Sequence, residues 1–147
     1  MTHAAFTPIS LAAFAIAVAA VFGNLVLVAT RYASLPESVP THYGFSGRPD
    51  AWGDKKLFWL ITLIPILMVM LMVGVAIAMV TTSKESDIDE VRAGLRILGA
   101  TTAYVSVGAF ALTLRMIAVA EKHADGIGRL AMPVYLAGLA LVIVLFR

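Results

Sequence analysis

The chain has 147 residues, of which 61% are hydrophobic and only 14% charged, against roughly 25% charged in a typical soluble domain. So little polar surface excludes an ordinary soluble fold, which would expose large aggregating patches. A net charge of +2, without a basic patch interleaved with aromatics, gives no case for nucleic acid, and the lack of cysteine excludes disulfides, thiolate metal ligands and a cysteine nucleophile.

The charges are confined. Residues 1–30, 57–83, 97–114 and 130–146 contain no Asp, Glu, Lys or Arg, and each run can supply the roughly 17–25 residues of one membrane crossing. The predicted fold class is all-α: a four-helix transmembrane bundle in a lipid bilayer, with a long structured loop between helices 1 and 2. A single integral-membrane domain covers 1–147, with crossings at about 8–30, 57–80, 94–117 and 130–146 and the loop at 31–56.

The first crossing carries Ala12, Ala13, Ala15, Ala17, Ala19 and Ala20, a thin helix that neighbours can approach closely. Ala17-Val18-Ala19 mimics a signal-peptidase site, but Met1 to Phe6 has no Lys or Arg and the apolar run continues to Ala29. The segment therefore reads as a retained span. Asn24 is its one strong hydrogen-bonding side chain. An interhelical hydrogen bond is the plain reading and contact with a substrate the functional one.

The loop of 26 residues that follows far exceeds the usual 2–8 between bundle helices. Leu35, Val39, Tyr43, Phe45 and Trp52 serve as apolar anchors along it. Pro36 and Pro40 push Leu35 and Val39 toward extended geometry, so Val39 to Tyr43 is expected to be strand-like. Gly44 and Gly47 permit a reversal, Arg48-Pro49-Asp50 continues as a turn, and the whole is expected to form a small hairpin-like cap on the bundle mouth with Trp52 shielded from water. The reversal brings His42 toward Gly47 or Asp50. A His–carboxylate pair can sense protons or contribute to a cation site, but two ligands do not make a metal centre. A histidine bonded to the loop backbone is the bland reading. His3 and His123 stand alone and read as solvated.

The string Leu35-Pro36-x-x-Val39-Pro40-Thr41-His42-Tyr43-Gly44-x-x-Gly47-x-Pro49-Asp50-x-Trp52-Gly53-x-Lys55 resembles the signature of the DUF1648 membrane family. That family includes the amino-terminal half of SdpI-type immunity proteins, which protect bacteria from a secreted killing peptide. The resemblance implies a multi-pass protein of the bacterial inner membrane and a binding or sensing role for Pro40, His42, Gly44, Gly47, Asp50, Trp52 and Lys55. It also implies a peptide toxin or partner membrane protein as ligand. The Arg-Thr-Pro-Trp-like motif of the second half of SdpI-type proteins has no counterpart here.

Lys55, Lys56, Phe58 and Trp59 lead into the second crossing as an interfacial anchor. Pro65 is expected to kink it, and Met68, Met70, Met72 and Met79 read as gap-fillers. Asp87 with Glu90 has capping-box spacing, which starts the third helix near Ile88. Ile88, Val91, Leu95 and Leu98 then share one face. Arg92 lies within a turn of the acidic cluster Glu85 to Glu90, while Arg96 and Arg115 are spaced to snorkel to opposite surfaces. Thr101, Thr102, Tyr104, Ser106 and Thr113 make this the most polar crossing, turned toward the bundle interior. Asp125-Gly126 and Gly128 form a turn before the short fourth crossing, where Pro133 sits in the first turn.

No HExxH, GxSxG, GxGxxG or P-loop is present, so no catalytic residue and no cofactor is predicted. The reading is a binding or sensing membrane protein with an SdpI-like immunity or signalling role. The alternatives are a small transporter or permease component, drawing on Asn24, Thr101, Thr102 and Tyr104, and an accessory subunit of a larger membrane complex. Orientation divides the signals. Arg31, Arg48, Lys55, Lys56, Arg115, Lys122 and Arg129 outnumber Lys84, Arg92, Arg96 and Arg147, which places the loop inside by charge. The family resemblance implies a loop outside and both termini in the cytoplasm, and this orientation is preferred because Arg31, Lys55 and Lys56 double as interfacial anchors.

Overall fold

The computed structural model describes residues 5–146, so His3 and Arg147 lie outside the described residues. In chain order come α1 (Pro8–Arg31), β1 (Ser38–Tyr43), β2 (Pro49–Asp54), α2 (Leu57–Thr82), a 3-10 turn (Glu85–Asp87), α3 (Ile88–Ala120) and α4 (Ala131–Leu145). α1 begins at a reciprocal cap: Ser10 N–H donates to Thr7 Oγ1 at 3.2 Å and Thr7 N–H to Ser10 Oγ at 3.0 Å, with Pro8 in the first turn. α2 runs through Pro65 without interruption.

α1, α2 and the helical stretch Glu85–Ala120 are long and apolar enough to cross a membrane, with mean hydropathies of 2.5, 2.8 and 1.7. α4 is apolar but has 15 residues, about 22 Å of helix against a hydrocarbon core of roughly 30 Å. Among the described residues there are four α-helices, three of them long and apolar enough to cross a membrane.

α1 and α3 make the most extensive contact and run parallel. A side chain at Gly99 would meet Ala13 and the Ser10 carbonyl, and one at Gly23 would meet the Phe110 ring. α2 packs against both helices. Two buried clusters close the ends: Val28, Leu35, Val39, Phe58, Met116, Ile117 and Ala120 at one, and Ala5, Ala76, Val91 and Leu95 at the other. Ile88 and Leu98 pack against the second, so the periodic face of α3 is the packed one. Phe58 is fully buried in the first cluster rather than anchored at an interface. Asn24, Thr62 and Thr113 each lie one helical turn inward from that cluster, and all three are buried.

α3 starts at Ile88, yet Asp87 makes no side-chain cap and instead accepts the Ser86 hydroxyl at 2.7 Å. The 3-10 turn before it supplies the continuity that the capping box was expected to give. α4 has no buried residue and meets α3 through two reciprocal fits. Tyr104 stacks on Tyr135 with centroids 5.2 Å apart, Tyr104 Oη donates to the Tyr135 carbonyl at 2.9 Å, and only glycine at 138 and 108 leaves room for the two rings.

The connection between α1 and α2, expected as a long loop with a hairpin-like shape, is a regular antiparallel β-hairpin, so the molecule is mostly rather than wholly helical. Extended geometry enforced by Pro36 and Pro40 and the turn at Gly44 to Gly47 are enough to nucleate it. Packing of β1 on the bundle supplies the support that an isolated two-stranded hairpin lacks.

Candidate functional site: the hairpin and the bundle end beneath it

β1 is the inner strand. Leu35, Val39 and Pro40 are buried, whereas β2 contains no buried residue. Pairing runs Ser38–Asp54, Val39–Gly53, Pro40–Trp52, then slips, so that Thr41 and Asp50 are the bulged positions. A bulge re-aims side chains and tolerates a proline that cannot donate to the ladder. Here it leaves His42 and Asp50 in contact, with Nδ1 donating to Oδ1 at 2.5 Å. Gly44 stands beside this pair, since a side chain there would press on the Asp50 carboxylate at 3.1 Å. The His42 side chain is largely exposed, and among the described residues no third His, Cys, Asp or Glu joins the pair.

The turn closes with Gly47 N–H donating to the Gly44 carbonyl at 2.8 Å and Gly44 N–H to the Arg48 carbonyl at 3.0 Å. Gly47 adopts a positive φ of 74°. It also abuts the α3–α4 connection: Ile127 N–H donates to the Gly47 carbonyl at 2.9 Å, and a Cβ on Gly47 would fall 2.6 Å from Gly128. Gly53 gives room to Thr41 and Leu57.

Lys55 fastens the hairpin's base. Its Nζ lies 2.9 Å from Glu37 Oε1 and 5.3 Å from the Tyr32 ring centroid, and its N–H donates to the Glu37 carbonyl at 3.1 Å. The Glu37 hydrogen bond raises the Lys55 pKa above its ordinary value. The Lys56 backbone N–H, on Asp54 Oδ1, holds that carboxyl below the usual range. Tyr43 is partly buried, its hydroxyl has no hydrogen-bond partner, and burial pushes its pKa up to about 12.

Trp52, expected to be shielded, is 54% exposed, and Phe45 at the tip is fully exposed. Both expectations fail for one reason: anchoring depends on which strand faces the bundle, and only β1 does. Of the seven residues predicted for binding, Pro40, Gly44, Gly47 and Lys55 build the hairpin, while His42, Asp50 and Trp52 face outward. The interior polar residues lie apart from them. Asn24 is 1% exposed and neither of its amide atoms has a partner, so the predicted interhelical hydrogen bond is not formed. The nearby hydroxyls of Thr62 and Thr113 donate to their own helix carbonyls, those of Phe58 and Ala109. Thr102 likewise bonds Leu98 O, the half-buried Thr101 has a buried hydroxyl without a partner, and Tyr104 holds α4.

Sequence reasoning missed Tyr135, Gly108 and Gly138, which fix α4, and the contact of Gly126 and Gly128 with the hairpin tip. Glycines interrupting apolar helices opposite tyrosines were the available signal.

A comparison with curated proteins finds no match, and one with solved structures finds none. A family model described as a domain of unknown function, DUF1648, matches residues 9–69. The match takes in α1, the hairpin and the first half of α2, so residues 9–69 of this chain are similar to the DUF1648 family.

Proposed function

We propose that the chain is a multi-pass protein of the bacterial inner membrane whose bundle presents the hairpin to a partner at the outer face. α1, α2 and α3 cross the bilayer, and α4 enters as a shorter fourth crossing that local thinning or snorkelling accommodates. One observation supports the binding role: His42, Asp50 and Trp52 stay exposed on the hairpin, which Leu35, Val39, Pro40 and Gly47 secure from the other side. An indole beside an imidazole and a carboxylate, on a rigid support, suits recognition of a peptide. The resemblance to SdpI-type proteins makes a secreted peptide toxin the partner to test and immunity or signalling the role. An accessory subunit would use the same surface against another membrane protein. The chain acts by binding rather than by catalysis.

In cells exposed to such a killing peptide, the wild-type chain is expected to raise survival. The combined His42→Ala, Asp50→Ala, Trp52→Ala variant is expected to lose protection about tenfold or more at equal membrane abundance, the effect of ~1.4 kcal/mol of binding. Undiminished protection by the variant removes this face from the mechanism. A transporter component is the second reading, favoured by the buried, unpartnered Asn24 amide. It calls for an uptake or resistance phenotype that Asn24→Leu or Thr102→Val abolishes.

A further inference from the structure

α3 and α4 touch where Tyr104 and Tyr135 interlock and part toward the hairpin end. There they enclose a cleft of about 840 Å³, walled by Leu112 and Ala111 of α3 and by Met132 and Val134 of α4. That volume lies in the roughly 300–1,000 Å³ range of small-molecule sites. The walls are apolar and two guanidinium groups stand at them, Arg115 of α3 and Arg129 of the connecting loop. The ion pairs at this end take Arg31 and His123 to Glu121, His42 to Asp50, Lys55 to Glu37 and Lys56 to Asp54. Among the described residues neither the Arg115 nor the Arg129 side chain has a partner, and both are exposed.

We propose that this cleft seats one acyl chain of an anionic phospholipid from the surrounding bilayer, its phosphate held by Arg115 and Arg129. Guanidinium forks match phosphate oxygens bidentately. Arg115 lies five residues before the end of α3, about 7–8 Å along the axis, within reach of the headgroup level by snorkelling. α4 begins at the same place without a side-chain cap, and its amino-terminal dipole adds to the positive field. The hairpin contributes as well. Its tip fixes Ile127 and Gly128, the two residues before Arg129, so the arginine is aimed by a residue of the DUF1648 segment. The site needs only the membrane setting and is independent of what binds His42, Asp50 and Trp52.

Full-length protein in non-ionic detergent is titrated with phosphatidylglycerol and, separately, with phosphatidylcholine, and retained lipid is counted by native mass spectrometry. One phosphatidylglycerol per chain is expected, bound about tenfold or more tighter than phosphatidylcholine. Arg115→Gln with Arg129→Gln brings it down to the phosphatidylcholine level, with helicity by circular dichroism unchanged. Ala111→Phe, which obstructs the cleft and spares both charges, lowers retention too, while Arg96→Gln, exposed toward the opposite end of α3, does not. Inorganic phosphate leaves the lipid in place. Equal retention of the two lipids overturns the proposal, as does full retention by Ala111→Phe, an equal loss with Arg96→Gln, or displacement by phosphate alone.

Discussion

Tyr43 carries the clearest residue-scale consequence. Its buried hydroxyl finds no partner, so Tyr43→Phe removes a desolvated group and loses no hydrogen bond. The variant is expected to match the wild type or exceed it by up to ~1 kcal/mol. Alkali separates the two further. The unfolded tyrosine ionises near its ordinary 10.0, whereas the folded one keeps its proton to about 12. This contribution is therefore intact below pH 10 and is lost as the pH rises toward 12. Thermal unfolding in detergent at pH 8 and pH 11 should show a larger alkaline loss for the wild type, and equal losses would contradict the assignment. At this scale the sequence was partly legible. Two glycines in a short span foretold a reversal and so the meeting of His42 with Asp50. The exposure of Trp52 was not foretold, because aromatic character does not say which strand lies outermost.

At the scale of elements, the hairpin is locked by Gly47. Alanine there must hold a left-handed φ, at about 1–2 kcal/mol, and its methyl would collide with Gly128. Gly47→Ala is expected to release the tip from the α3–α4 connection while Leu35 and Val39 stay buried. Hydrogen exchange should show lost protection at the Ile127 amide and retained protection in α3; an unchanged Ile127 rate would refute the lock. The helices were readable because an apolar period of 3.6 and charge-free runs mark them directly, as Ile88, Val91, Leu95 and Leu98 do. The strands were less so. Each has six residues, Pro40 interrupts the donor pattern, and the bulges at Thr41 and Asp50 break the alternation by which strands are recognised.

For the whole molecule the open quantity is orientation. Serine at 46, on the hairpin tip, and serine at 86, in the turn before α3, are both exposed and lie at opposite ends of the bundle, and the chain has no cysteine. Single Ser46→Cys and Ser86→Cys variants in intact cells are expected to react with an impermeant maleimide at 46 alone, with 86 reacting after permeabilisation. The reverse pattern would put the hairpin in the cytoplasm and return the decision to the basic-residue count. Bundle architecture followed from composition. The placement of α4 did not, because two tyrosines seated on two glycines depend on an antiparallel register that no single helix displays.

The contact between Gly47 and Gly126 to Gly128 also imposes an order in time. Residues 47 and 126 are 79 positions apart in the chain, which at synthesis rates of about 5–20 residues per second amounts to roughly 4–16 s. During that interval the newborn hairpin has α1 and α2 beside it but nothing to hold its tip. The tip is fastened only once α3 has been made and the chain has turned toward α4, so a surface element made before α2 is finished after α3.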